Sequence, residues 1–97
     1  MSNRNRSSDP NSELYDAILS LQTREECTQF FQDLCTQTEL GAMEQRYDVA
    51  KMLASGMIYN DILAKTNASS ATISRVNRSL VNGNGAYAQV FARLDEK

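Results

Sequence analysis

The stretch Ile58-Tyr-Asn-Asp-Ile-Leu-Ala-Lys-Thr-Asn-Ala-Ser-Ser-Ala-Thr-Ile-Ser-Arg-Val-Asn-Arg-Ser-Leu80 reads as two short helices around a tight turn. Ile58, Ile62 and Leu63 share an apolar stripe on a first helix that runs out near Thr66. Asn67 follows, a residue that tolerates the left-handed conformation a sharp turn needs. Ser69 stands at an N-cap position, its hydroxyl available to the orphan amide of Ala71 or Thr72, and the second helix runs to about Asn82. On that helix Ile73, Val76 and Leu80 fall on one face. At about 100° per residue, Ala71, Ser74, Arg75 and Arg78 point roughly the opposite way.

This outer face is small and hydroxyl-rich at its start and cationic further along. Ser70, Ala71, Thr72 and Ser74 are short enough to approach base edges, while Arg75, Arg78 and Lys65 suit phosphate oxygens. The expectation is a helix-turn-helix over about 58–82 that reads double-stranded DNA. The alternative is a helical hairpin that packs on a protein partner or only dimerises. Its mark would be Ile, Leu or Met exposed on the outer face.

Composition bounds the rest. A chain of 97 residues that is 41% hydrophobic makes one domain at most, expected over 9–97 after a disordered tail at 1–8, and it buries only a modest core. A homodimer is a natural remedy. Formal net charge is −2, unevenly spread: residues 9–43 hold one cation against seven anions, whereas residues 44–82 hold five cations against three anions. The positive surplus lies over the proposed reading head, and the acidic half would repel phosphate. No apolar run of about 18 residues spans a membrane, and Met1 to Pro10 is polar without the hydrophobic core of a signal peptide. A cytoplasmic location is expected.

The flanking sequence spells more helix. Asp9-Pro10 suits a helix start, with Leu14, Ile18 and Leu21 on one face to about Gln22. Thr23-Arg-Glu-Glu26 matches a capping box ahead of Phe30, Phe31 and Leu34, in a helix ending near Cys35. Thr36 or Thr38 caps a third helix, in which Leu40, Met43, Tyr47, Ala50 and Leu53 or Ala54 keep the period until Ser55-Gly56. Asn82-Gly-Asn-Gly85 is a turn, and Tyr87, Val90, Phe91 and Leu94 define a closing amphipathic helix. The fold class is therefore all-α, with about six helices.

This arrangement resembles the Trp repressor superfamily, most closely the Trp repressor-related proteins of the YerC/YecD type, over about residues 12–95. The telling segments are Thr36 to Gly56, which look like the family's central helix and lead-in, and Ala71-Thr-Ile-Ser-Arg-Val-Asn-Arg-Ser-Leu80, which looks like its recognition helix. The resemblance implies an interlocked homodimer with a shared N-terminal core and two reading heads. It also implies a transcriptional regulator, a repressor acting on a roughly palindromic operator with half-sites about one helical turn apart. The Trp repressor's amino-acid corepressor site aligns with Thr36, Arg46, Arg75, Val76 and Ser79. There Arg75 would pair with a carboxylate, Arg46 flank a planar ring and Ser79 meet an ammonium group. The repressor has glycine where this chain has Val76, so a branched side chain fills indole space and tryptophan is not the expected effector. Arg75 keeps two readings, phosphate contact or ligand clamp. Alignment between Gly56 and Ile62 needs a one-residue adjustment, which leaves Tyr59, Asn60 and Asp61 without assigned roles.

Enzymatic chemistry is not expected. The chain has no histidine, its carboxylates cluster on what read as solvated helix faces, and Asn82 to Gly85 lacks the strand and lysine of a phosphate loop. Cys27 and Cys35 are about 12 Å apart along one helix, too far for a disulfide, and without His or further Cys they make no zinc site. No cofactor or metal is expected. Asn67-Ala-Ser69 and Asn77-Arg-Ser79 match glycosylation sequons by chance inside the reading unit.

Overall fold

The computed structural model describes residues 12–95, and every described element is a helix: α1 (Ser12–Leu19), α2 (Arg24–Leu34), α3 (Gln37–Ala54), α4 (Tyr59–Thr66), α5 (Ser70–Asn82) and α6 (Ala86–Asp95). The expected tail at 1–8 and the Asp9-Pro10 start lie outside the described residues. The chain divides into two compact units, one up to Gln37 and one from Thr38 onward.

In the first unit α1 stops at Leu19, three residues before the expected end. The Ser20 hydroxyl donates to the Ala17 carbonyl at 2.6 Å, a local bond that competes with helix propagation. The Gln22 N–H is taken by Glu26 Oε1 at 2.8 Å. Thr23 caps α2 as its sequence predicts, accepting the Glu26 N–H at 3.0 Å. The reciprocal half of the box thus lands on Gln22, one residue before the cap, and not on Thr23 itself. Phe30 and Phe31 meet edge to face at 5.6 Å. No residue of α2 is buried.

The second unit holds the core: Val49 and Ala50 from α3, Ile62 from α4, Ala68 from the turn, and Ile73 and Val76 from α5. Leu53, Met57, Leu63, Leu80, Tyr87 and Phe91 pack around it half-buried. Leu53, and not Ala54, is the one that faces inward. Val49 is absent from the expected α3 stripe although it is fully buried. It lies about 160° around the helix from Tyr47 at about 100° per residue, so α3 buries a broad arc and not a single seam. One side of that arc meets the core, and the other brings Tyr47 against Phe91 of α6, ring centroids 5.7 Å apart. Tyr87 stacks on Phe91 at 6.0 Å.

Ser55-Gly56 ends α3 as expected, with Gly56 at φ 90°. Gly56 N–H donates to Leu53 O at 3.0 Å and Met57 N–H to Met52 O at 3.1 Å, the paired bonds of a Schellman motif. Ile58 departs from the expected stripe. It is the N-cap of α4 in extended backbone and its side chain is 63% exposed, because a cap residue has not yet entered the helical period that would turn it inward.

Candidate nucleic-acid interface

The reading unit is α4, the turn Asn67–Ser69, and α5. Asn67 adopts the left-handed conformation at φ 58°, ψ 15°, and its N–H donates to Leu63 O at 3.0 Å, closing the C-terminus of α4. Ser69 then caps α5 in extended backbone. Its Oγ accepts the Thr72 N–H at 3.0 Å and donates to Thr72 Oγ1 at 3.0 Å. The amide so satisfied is Thr72, one of the two the sequence left open. Ile62, Ala68, Ile73 and Val76, each at most 3% exposed, seat both helices on α3.

With that face buried, the opposite one is fixed. Ser70, Ala71, Ser74, Arg75 and Arg78 are exposed along α5, Lys65 is exposed in the last turn of α4, and Thr72 is half-buried beside the cap. Tyr59 to Asn82 carries Lys65, Arg75 and Arg78 against Asp61, a local surplus of two positive charges. The outer face of α5 is polar apart from Ala71 and Val81, the latter 71% exposed near the end of the helix.

The candidate effector residues are less convergent. Arg46 on α3 and Arg75 and Ser79 on α5 are exposed. Thr36 is exposed and belongs to the other unit. Ser79 lines a surface hollow of about 260 Å³ with Leu80, Gly83, Ala86 and Tyr87, and neither Arg46 nor Arg75 is part of that lining. Val76 is in the core at 3% exposure, the packing role its sequence position suggests. Among the described residues no three His, Cys, Asp or Glu side chains gather to hold a metal ion. Nor is any described helix long and apolar enough to cross a membrane.

One contributor escapes any reading of the sequence. Gln45 on α3 donates through Nε2 to the Thr66 carbonyl at 3.1 Å, across 21 residues of chain. The Thr66 hydroxyl in turn donates to Ile62 O at 2.7 Å and accepts the Ala68 N–H at 3.1 Å. A polar side chain in an amphipathic helix carries no periodic mark of such a partner.

Comparison with known proteins agrees with this geometry. The family model for the Trp repressor protein matches residues 11–95. The chain is 49% identical over 84 residues to the uncharacterized protein YerC of Bacillus subtilis (strain 168), covering 87% of this chain and 81% of that protein. Among solved structures it is similar to a TrpR-like protein from Eubacterium eligens ATCC 27750, at TM-score 0.88 and 48% identity over 96% of each chain. It is also similar to a candidate Trp repressor from Staphylococcus aureus, at TM-score 0.85 and 51% identity over 89% of this chain and 86% of that one.

Proposed function

This chain belongs to the Trp repressor family, and we propose that it is a sequence-specific DNA-binding transcriptional regulator. It acts as a repressor by occluding a promoter, as a cytoplasmic homodimer, and performs no catalysis. The observation that carries this reading is the outer face of α5. Its apolar side is committed to the core, and what remains outward is short at the N-terminus and cationic beyond it. Ser70, Ala71, Thr72 and Ser74 read base edges in the major groove, while Lys65, Arg75 and Arg78 hold the phosphates.

Dimerisation is supported by apolar surface outside the reading head. Leu14, Tyr15, Leu19 and Leu34 are 36–82% exposed in the single chain, apolar area open to a second copy. In the proposed dimer the N-terminal helices of two copies cover each other, and two-fold symmetry sets an operator of two half-sites. Any effector at Arg46, Arg75 and Ser79 is a small molecule other than tryptophan, since the branched Val76 stands where the resemblance implies room for an indole.

A second reading, a helical interaction module, is favoured by the exposed apolar side chains of Val81 on α5 and Ile58 at the start of α4. Titrating duplex DNA between about 50 and 200 mM salt separates the two. Three cations in each of two heads predict a log–log slope of about −5. A binding module for protein shows no retained duplex at any of these salts.

A further inference from the structure

The polar contacts at the inter-helix turn converge on Thr66. The carbonyl of this last residue of α4 belongs to the group of helix-end acceptors that lack an intrahelical partner. Gln45 Nε2 satisfies it at 3.1 Å, while the Thr66 hydroxyl bridges Ile62 O and the Ala68 N–H. Gln45 and Thr66 are both half-buried, so solvent is only partly available as a substitute donor.

The apolar seat beneath the turn, Ile62, Ala68, Ile73 and Val76, is held by a non-directional force. It fixes how deep the helices sit better than it fixes the angle at which α5 leaves α4. A hydrogen bond is directional. The 13 residues of α5 extend about 20 Å, and a tilt of about 10° at its root moves the far end by about 3 Å. That is a whole hydrogen-bond length. The long arginine side chains towards the far end adapt to such a shift, whereas Ser74, about 6 Å from the root and moved about 1 Å by the same tilt, has too short a side chain to follow a displaced base edge.

From this geometry we infer that Gln45 is a positioning residue for sequence readout: by donating to the Thr66 carbonyl it sets the angle of α5, and with it base discrimination more than overall DNA affinity. The inference rests on the proposed DNA-reading role of α5. Gln45 itself lies on α3 and needs no contact with DNA for this role.

The test uses two variants of the full chain. Gln45→Met keeps the length and apolar stem but removes the donor, and Gln45→Glu, when ionised, only accepts. Each is measured against a duplex selected by the wild type from a random pool and against a scrambled duplex of the same composition at the same salt. Amide hydrogen exchange at Asn67 and Ala68 is followed in parallel. The expected result is a loss of about threefold to tenfold on the selected duplex for Gln45→Met, a larger loss for Gln45→Glu, little change on the scrambled duplex, and faster exchange at Ala68. Equal losses on both duplexes, or a preserved ratio, overturn the inference. If the wild type selects no sequence, the DNA-reading proposal fails on its own. Exchange still decides the clamp in that case: faster exchange at Ala68 in the variants supports it, and unchanged exchange overturns it.

Discussion

Ser69 and Thr72 are bonded to each other twice, the Ser69 hydroxyl accepting the Thr72 N–H and donating to Thr72 Oγ1, both at 3.0 Å. This pair fixes where α5 begins, and so which residues of it are presented outward. Ser69→Ala removes the cap and is expected to cost about 1 kcal/mol, within a range of roughly 0.5–2, whereas Ser69→Gly costs only a few tenths. Equilibrium denaturation of both variants checks the order. Equal stability of Ser69→Ala and the wild type would show that the cap contributes nothing.

Neighbouring positions on α5 separate stability from recognition. Ile73 is fully buried and Ser74 is exposed. Ile73→Ala leaves a cavity and is expected to lose about 2–5 kcal/mol. Ser74→Ala stays within about 0.5 kcal/mol of the wild type but changes DNA affinity. Denaturation and duplex binding on the two proteins measure the contrast. A Ser74→Ala protein with unaltered binding to the selected duplex removes Ser74 from the reading face.

Thr72 and Arg78 divide base reading from phosphate holding. Thr72→Ala keeps the backbone N–H that Ser69 caps but removes the Oγ1 to which the Ser69 hydroxyl donates. It is expected to relax preference at one base-pair position by about 1–3 kcal/mol. Arg78→Ala is expected to weaken binding on all sequences and flatten the dimer's salt slope by about 2, one contact from each head. Binding to a set of single-substitution duplexes at several salts reads both. An unchanged salt slope together with unchanged preference contradicts the placement of these residues.

Leu19 is 82% exposed at the end of α1. If a second copy covers this surface, Leu19→Glu forces a charge into an apolar interface and shifts the chain toward monomer. Sedimentation at matched concentrations measures the shift, which is expected to be at least tenfold in dimer dissociation constant, or about 1.4 kcal/mol. A variant that sediments like the wild type places the interface elsewhere.

The helix-turn-helix was legible because three independent local marks coincide within a few residues. Asn67 supplies the left-handed turn, Ser69 the cap, and Ile73 with Val76 the inward period. Ile58 misled for an equally local reason: apolar spacing alone does not show that it stands at the cap, outside the helix. Val49 was hidden because α3 is flanked on two sides, and a single-stripe reading counts only one. The Gln45–Thr66 bond joins residues 21 apart through a side chain and a carbonyl, a relation that no periodicity encodes. For the effector residues the resemblance supplied positions, and Ser79 lines a hollow that Arg46 and Arg75 do not share.

The most direct measurement is selection from a random duplex pool by the purified chain at about 150 mM salt, where weak phosphate contacts are largely suppressed. The account predicts enrichment of one palindromic motif whose half-sites lie about one helical turn, 10–10.5 base pairs, apart. Retention without a motif, or no retention at that salt with or without added amino acids and other metabolites, would contradict it.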